Sequence, residues 1–159
     1  TLAGIPWHVV PIAKKELKKV PFLSWAMLAA GHIFIDRSNR EKALQSINNI
    51  KNSLKKNPRS ILIFPEGTRS LDGKMKPFKK GGVILSIDTG LPIVPIACCG
   101  TFEVLIKGSK NFNPKPIELR FGAPIHTSSE DLKNRNEITE QVKKAIINLK
   151  SEWNNIDNN

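Results

Sequence analysis

The sequence predicts an α/β fold: a single domain with a mostly parallel or mixed central sheet flanked by helices. Short apolar runs of strand length alternate along the chain with segments of helical periodicity, as in parallel sheets with crossover helices. The chain has 159 residues, of which 40% are hydrophobic, so it can build one sizeable core. We expect one domain over residues 1–159, with no linker and no internal repeat.

The first part of the chain supplies three predicted strands and two predicted helices. Residues 7–13 and the run HIFID are predicted strands. Residues 21–31 are a predicted helix between them, because proline suits a first turn and glycine a helix end. SNREKALQSINNIKNSLKK is the clearest helix, with an apolar stripe formed by Ala43, Leu44, Ile47, Ile50 and Leu54. Residues 60–64 follow as a continuous apolar run, typical of a strand buried on both faces.

The second part supplies two more predicted strands and two more predicted helical segments. PFKKGGVILSIDTG is predicted to be a loop and a short helix that ends at Gly90. LPIVPIACC and IELRFGAPI are predicted buried strands, and NFNPKP between them is the one predicted long loop. The tail from SSEDLK to Trp153 is predicted to be helical. Its apolar stripe consists of Ile138, Val142, Ala145, Ile146, Leu149 and Trp153.

The composition narrows the class of partner. Lys and Arg number 25 against 14 acidic residues, a formal net charge of +11. This surplus fits a phosphorylated metabolite, an acidic membrane surface or nucleic acid, and equally a lysine-rich surface without a partner. There is no Tyr, and most Phe residues lie inside apolar runs, so we expect no base-stacking platform and no nucleic-acid partner. On a strand, Cys98 and Cys99 would point to opposite faces, which suits neither a disulfide nor a metal site.

The run ILIFPEGTRS places a carboxylate, a hydroxyl and a guanidinium directly after a predicted strand. Ligands of open α/β sheets bind beyond the carboxyl ends of the strands. A turn at this place exposes backbone N–H groups, and the guanidinium of Arg69 offers a fork of donors that matches phosphate oxygens. An ordinary tight turn with a surface arginine is the alternative interpretation of this motif on its own.

Three blocks of the sequence together resemble the glycerolipid acyltransferases, most closely the 1-acylglycerol-3-phosphate (lysophosphatidate) acyltransferases. The blocks are GHIFIDRSNREKA, FPEGTRSLDGKMKPFKKGG and GLPIVPIACCGT, and the likeness runs from about Ala13 to Ile147. The resemblance implies acyl transfer from acyl-CoA or acyl carrier protein to the free hydroxyl of lysophosphatidate, giving phosphatidate for phospholipid biosynthesis. It also implies an enzyme at the cytoplasmic face of a membrane, either peripheral or anchored by a missing N-terminal segment. No cofactor is implied beyond the thioester co-substrate.

The resemblance also implies which residues hold the acceptor's phosphate. They are Lys14 in AKKEL, Arg37 after IFID, and Glu66, Gly67, Thr68 and Arg69 in FPEGTR. Glu66 is expected either to contact the acceptor hydroxyl or to orient Arg69 or a backbone N–H. Pro92 and Pro95 belong to a block near the acyl donor and are expected to shape it.

The catalytic pair of this family, Asn-His-x-x-x-x-Asp, is absent from the sequence before Lys14, where the resemblance places it. His8 has no Asp at that spacing. His126 and Asp131 have the spacing, but they follow the last predicted strand and open the C-terminal helical segment. We therefore assign no catalytic residue and no metal site, and expect a chain truncated before Thr1.

Other functions stay open at this point. One is a non-catalytic lipid- or phosphate-binding module of the same fold, and another is an acyltransferase that acts on glycerol 3-phosphate or another lysolipid. The basic surplus and the segment PFLSWAMLAAG could assist contact with an anionic membrane surface. We nevertheless expect this segment to be an ordinary core helix.

Overall fold

The computed structural model describes residues 9–36, 40–106, 108–109 and 111–156. The chain forms two compact units, Thr1–Phe64 and Pro65–Asn159, here called the N-terminal and C-terminal units. Strands and helices alternate along both, so the predicted α/β class is confirmed. The single domain over residues 1–159 stays a prediction.

The N-terminal unit is built on a parallel sheet of three strands. They are β1 (Val9–Lys14), β2 (Ile33–Ile35) and β3 (Ser60–Leu62), in the order β2-β1-β3. The register pairs Lys14 with Ile35, and Pro11 with Leu62. Because all three strands run the same way, their carboxyl ends lie at one edge of the sheet. The first predicted strand is confirmed from Val9 onward; Trp7 and His8 lie outside the described residues.

Two helices connect these strands, and both were predicted. Helix α1 (Leu23–Ala29) follows a short 3₁₀ helix (Lys15–Lys19), and helix α2 (Arg40–Lys56) contacts β2. The described side chains of the α2 stripe are buried: Ile47, Ile50 and Leu54. Among the described residues, no helix combines the length and the apolar composition needed to cross a bilayer.

Two burial predictions for this unit are wrong. The run at residues 60–64 is not buried on both faces, because Ser60 is exposed and Phe64 is 60% exposed. Its strand, β3, pairs only with β1 among the described strands of this sheet and therefore lies at the edge. The segment PFLSWAMLAAG is not a core helix, since Trp25 is 65% exposed and the one buried residue of α1 is the polar Ser24.

The C-terminal unit holds an antiparallel strand pair and three α-helices. In chain order these are α3 (Gly81–Thr89), β4 (Ile96–Cys99), α4 (Thr101–Val104), β5 (Glu118–Phe121) and α5 (Arg135–Ile156). The strand pairing runs from Ile96–Phe121 to Cys99–Glu118, and α5 packs on both strands. A 3₁₀ helix (Ser129–Leu132) precedes α5, so the predicted helical tail is confirmed.

The core of this unit lies between α3 and α5. Four buried side chains form it, with partly buried apolar residues packed around them: Val83, Ile87, Ile138 and Val142, surrounded by Phe78, Ile93, Ile125 and Ile146. Beside this cluster a buried hydroxyl pair, Ser86 Oγ and Thr127 Oγ1, is hydrogen-bonded at 2.7 Å, so neither group lacks a partner. Helix α3 ends as predicted at Gly90, whose φ of 69° is left-handed.

The prediction of strands in LPIVPIACC and IELRFGAPI is confirmed over Ile96–Cys99 and Glu118–Phe121, but the prediction that both runs are fully buried is wrong. In the first run the ladder covers Ile96–Cys99, and before it Ile93 forms an isolated antiparallel bridge with Ile125. Pro92 and Pro95 have no N–H with which to make the ladder continuous. Helix α5 contacts the pair, yet Cys98 and Phe121 are exposed while Cys99 is fully buried. The two cysteines therefore point to opposite faces, as predicted. Pro95 is buried, and its carbonyl accepts the N–H of Gly122 at 2.9 Å.

Candidate functional site

The motif FPEGTRS forms a turn that is fastened to the loop before α3. Pro65 and Glu66 make the turn, and Gly67 follows with a φ of 68°. This left-handed backbone costs glycine nothing and other residues about 1–2 kcal/mol, which explains the glycine in the motif. The carbonyl of Pro65 accepts the N–H of Lys79 at 2.8 Å. The turn is therefore supported by a second backbone segment.

Glu66 supplies the second connection to this loop. Its Oε2 accepts the backbone N–H of Lys76 at 2.9 Å in a half-buried position. A charge-assisted hydrogen bond to backbone is one of the stronger polar contacts in proteins. The contact matches one of the two roles expected of Glu66, the orientation of a backbone N–H.

This contact leads to a test of Glu66. Glu66→Ala removes the acceptor for the Lys76 N–H and should lower the free energy of unfolding by about 1–2 kcal/mol. Glu66→Gln keeps an oxygen in place and should retain most of that stability. Urea denaturation of the two variants measures the difference. If Glu66→Gln loses as much stability as Glu66→Ala, the hydrogen bond to Lys76 does not support the turn.

The residues after Arg69 form a second turn, with hydrogen bonds among its own residues. Ser70 Oγ donates to Asp72 Oδ1 at 2.9 Å, and the N–H of Lys74 donates to the same oxygen at 3.1 Å. Hydrogen bonds from the Ser70 hydroxyl, which has the larger effect, and from the Lys74 N–H lower the pKa of Asp72 below its ordinary value. The carboxylate is thus charged at neutral pH. Its contribution to the turn is present above the unfolded-state pKa and is lost as the pH falls through the lowered pKa.

Two side chains from distant parts of the C-terminal unit hold this second turn. Gly73, with a φ of 73°, lies against the ring of Phe102, so that a Cβ there would sit 3.3 Å from Cδ1. The ammonium of Lys150 on α5 lies 3.5 Å from the Gly73 carbonyl oxygen. The loop between the motif and α3 is therefore anchored to both α4 and α5.

The charged side chains of the segment from Glu66 to Lys80 are mostly cationic. Arg69 is exposed, and no ion pair joins it to a residue that the structure describes. Thr68 is exposed as well, and its hydroxyl lies 3.5 Å from the Arg69 carbonyl oxygen. Between Glu66 and Lys80 the sequence has five cationic side chains against two carboxylates. Such a surface attracts an anion, and the guanidinium can bind it with two parallel hydrogen bonds.

The other two predicted phosphate ligands belong to the N-terminal unit. Lys14 is exposed at the carboxyl end of β1, the sheet edge where ligands of α/β proteins bind. Arg37 lies outside the described residues. The preceding residue, Asp36, forms an ion pair with Lys15 at 3.2 Å, and its N–H donates to Ser46 Oγ at 3.3 Å. That Lys14 and Arg37 share a phosphate with the motif stays a prediction.

The pair His126 and Asp131 is not joined in the structure. His126 is exposed, whereas Asp131 Oδ2 accepts the backbone N–H of Ser128 at 2.7 Å and its hydroxyl at 3.2 Å. Asp131 thus caps the start of the 3₁₀ helix, as the sequence indicated. Within the described ranges, no group of three or more His, Cys, Asp or Glu side chains is arranged to hold a metal ion.

Sequence reasoning missed the residues that support the motif. Asp72 had a readable signal, because Ser-x-Asp-Gly is a typical turn in which side chains bond the local backbone. Lys76 contributes only its backbone N–H, which no sequence pattern marks. Phe102 and Lys150 are far from the motif along the chain, so their contacts follow from the fold alone.

Comparison with known proteins places the chain in a family. The family model described as Acyltransferase matches residues 3–99, more than half of the chain, and the chain belongs to this family. A 1-acyl-sn-glycerol-3-phosphate acyltransferase of Cocos nucifera is 38% identical over 138 residues, which cover 87% of this chain and 45% of that protein. The protein of the same name from Saccharomyces cerevisiae is 37% identical, over 88% of this chain and 47% of that protein.

A solved structure agrees with these sequence relatives. The crystal structure of the 1-acyl-sn-glycerophosphate (LPA) acyltransferase of Thermotoga maritima matches with a TM-score of 0.71 and 29% identity. The match covers 87% of this chain and 54% of that chain. The chain thus spans somewhat less than half the length of these curated relatives and about half of the solved one.

Proposed function

We propose that the protein containing this chain transfers a fatty acyl group from a thioester to 1-acylglycerol 3-phosphate, giving phosphatidate. The observation that carries the proposal is the agreement of the relatives: proteins named as 1-acyl-sn-glycerol-3-phosphate acyltransferases match most of the chain, and 33% to 42% of aligned residues are identical. The cationic turn after β3 supports it, since an arginine with neighbouring positive charge binds a phosphate group well.

The reaction joins an oxygen to an acyl carbon. The acceptor's free hydroxyl oxygen attacks the thioester carbonyl, the C–O bond forms, the C–S bond breaks, and a thiolate leaves. The hydroxyl proton must pass to a base and can then neutralise the thiolate. The base is predicted to be the histidine of the Asn-His-x-x-x-x-Asp motif, which the resemblance places before Lys14 and which residues 1–13 of this sequence do not contain. Reading the codons upstream of Thr1 tests this assignment directly.

In this proposal the motif, together with Lys14 and Arg37, positions the acceptor. Arg69 binds the phosphate with its guanidinium, and Lys14 and Arg37 add positive charge around the same group. Glu66 and Gly67 fix the turn, so that the phosphate is held by a rigid backbone rather than by a mobile loop. A fixed phosphate brings the neighbouring hydroxyl to one place, which raises its effective concentration at the thioester.

The donor and the location complete the proposal. The donor is acyl-CoA or acyl carrier protein, with Pro92 and Pro95 shaping the chain on that side. Both the acceptor and the product are amphiphiles, so the enzyme must reach a lipid surface, which we propose to be the cytoplasmic face of a membrane. The net charge of +11 favours an anionic lipid surface.

A donor-by-acceptor screen of the complete gene product tests the proposal. Each thioester donor is combined with lysophosphatidate, glycerol 3-phosphate and an uncharged lysolipid, and product formation is measured. We expect phosphatidate formation with lysophosphatidate and little product with the other acceptors. Faster use of glycerol 3-phosphate would overturn the acceptor assignment. Binding of lysophosphatidate without turnover by any donor would indicate the non-catalytic module instead.

A further inference from the structure

Helix α1 has the reverse of the burial pattern expected for a helix in water. Its seven residues carry no charge, and the one that is buried is the polar Ser24. The exposed fractions are 45% for Leu23, 65% for Trp25 and 52% for Leu28. A helix of a soluble protein normally turns its apolar side chains inward and its polar ones outward. A contiguous exposed group of large apolar side chains instead marks an interaction site.

The residue before the helix extends this apolar surface. Phe22 is 76% exposed, and its ring meets that of Trp25 edge to face, with centroids 5.4 Å apart. Its φ of 59° is in a region that bulky residues rarely adopt. Burial of Phe22 within this chain does not offset the strain, because the ring remains exposed. We call Val20, Phe22, Leu23, Trp25 and Leu28 the α1 apolar face.

Lysines border this face. The 3₁₀ helix Lys15–Lys19 contacts α1 and precedes it directly in the chain. Lys18 and Lys19 are exposed, and the Lys18 ammonium lies 5.0 Å from the centre of the Phe34 ring. Lys15 is paired with Asp36, yet 61% of its side chain remains exposed. Glu16 is the one acidic residue between Val9 and Ile35.

We propose that the α1 apolar face, with Lys18 and Lys19, inserts into the headgroup layer of an anionic lipid bilayer. Aromatic and leucine side chains prefer the boundary between headgroups and acyl chains, and neighbouring lysines are attracted to anionic headgroups. A purely apolar protein partner would leave the lysines without counter-charges, so the charge pattern favours the lipid surface. The inference deepens the proposed function and rests on it in one respect: the acceptor would then be drawn from that bilayer.

Vesicle co-sedimentation of the 159-residue chain tests the proposal without any acyl transfer. The vesicles are phosphatidylcholine alone, or equal parts of phosphatidylcholine and phosphatidylserine. We expect the unchanged chain to bind the anionic vesicles, and the double variant Phe22→Ser/Trp25→Ser to bind them about tenfold or more weakly. The matched control is Leu71→Ser/Phe112→Ser, which changes two side chains that are 63% and 70% exposed in the C-terminal unit. The control should bind as the unchanged chain does.

The lysines are tested in the same assay. Lys18→Gln/Lys19→Gln should weaken binding to the anionic vesicles about tenfold and leave binding to neutral vesicles unchanged. Lys133→Gln/Lys144→Gln removes two exposed lysines of the C-terminal unit and is the matched control. Because all changed side chains are exposed, circular dichroism should show the same fold in every variant.

Four results would overturn the proposal. The first is an absence of vesicle binding, and the second is equal binding by Phe22→Ser/Trp25→Ser and its control. The third is a dimer that forms without vesicles and is abolished by Phe22→Ser/Trp25→Ser. The fourth is a marked loss of thermal stability when these two substitutions are made in the complete gene product. The third would make the face a contact between copies, and the fourth would mean that another part of the protein covers it. Failure of the proposed function can be told apart from failure of this inference. In that case the protein would still bind vesicles but would not acylate a short-chain, water-soluble lysophosphatidate.

Discussion

Arg69→Ala in the complete gene product is expected to lower kcat/KM for lysophosphatidate by about 10²- to 10³-fold, because it removes charge-assisted hydrogen bonds to the phosphate that position the reacting hydroxyl. The KM of the acyl donor should stay within about twofold, because the guanidinium is assigned to the acceptor's phosphate and not to the thioester. Steady-state kinetics with each substrate varied in turn measures the difference. Equal losses for both substrates would contradict the assignment.

Two further variants give this result its specificity. Arg69→Lys keeps the charge but not the planar fork of donors, so it should recover only part of the activity. Arg135→Ala is the matched control, because Arg135 is also an exposed arginine of the C-terminal unit and its guanidinium donates to the Leu132 carbonyl, close by in the chain. It should keep near-normal kinetics. Arg69 is exposed, so Arg69→Ala should unfold at the same urea concentration as the unchanged chain.

Gly100→Ala is expected to give the largest loss of stability, about 2–4 kcal/mol of the free energy of unfolding. Gly100 precedes α4 with a φ of 77°, which is strained for alanine. In addition, a Cβ at this position would overlap the carbonyl oxygen of Pro116. The loop cannot easily withdraw, because the N–H of Asn113 donates to the Val104 carbonyl at 2.9 Å and holds it against α4.

Gly90→Ala separates the two causes. Gly90 has a φ of 69°, but a Cβ there would meet no atom within 4 Å. We expect this control to lose only about 1 kcal/mol, the cost of the left-handed conformation. Urea denaturation of both variants gives the comparison. Equal losses would mean that the approach of Pro116 to Gly100 contributes nothing.

The sequence was sufficient for the elements whose signals are local. The helix at Arg40–Lys56 has a regular apolar stripe, and the turn at Pro65–Glu66 has a proline and a glycine that specify its backbone. The end of α3 at Gly90 follows from the same left-handed preference. These predictions depend on neighbouring residues only, and they hold in the structure.

Burial was predicted less well because it depends on what covers an element. The run at residues 60–64 has the composition of a fully buried strand, yet β3 lies at a sheet edge. Helix α1 has the composition of a core helix, yet the side chains of Leu23, Trp25 and Leu28 are about half exposed or more. An apolar sequence indicates that a segment is buried away from water. It does not indicate whether protein or lipid buries it.

The candidate site shows the same division between local and distant information. The motif itself, Glu66 to Arg69, was found from the sequence because its residues are adjacent. The contact of Lys150 of α5 with the loop after the motif joins residues more than seventy positions apart, and it follows only from the fold. Whether Lys14 and Arg37 bind the same phosphate depends on a similar long-range arrangement, which local sequence signals do not specify.

The central claim is that the turn at Glu66–Arg69 recognises the phosphate of the acceptor. Its most direct test is the ratio of kcat/KM for 1-acylglycerol 3-phosphate to that for 1-acylglycerol, which lacks the phosphate. We expect a ratio of about 10² or more for the complete gene product and a fall of this ratio by at least about tenfold in Arg69→Ala. A ratio that is the same in both proteins would contradict it.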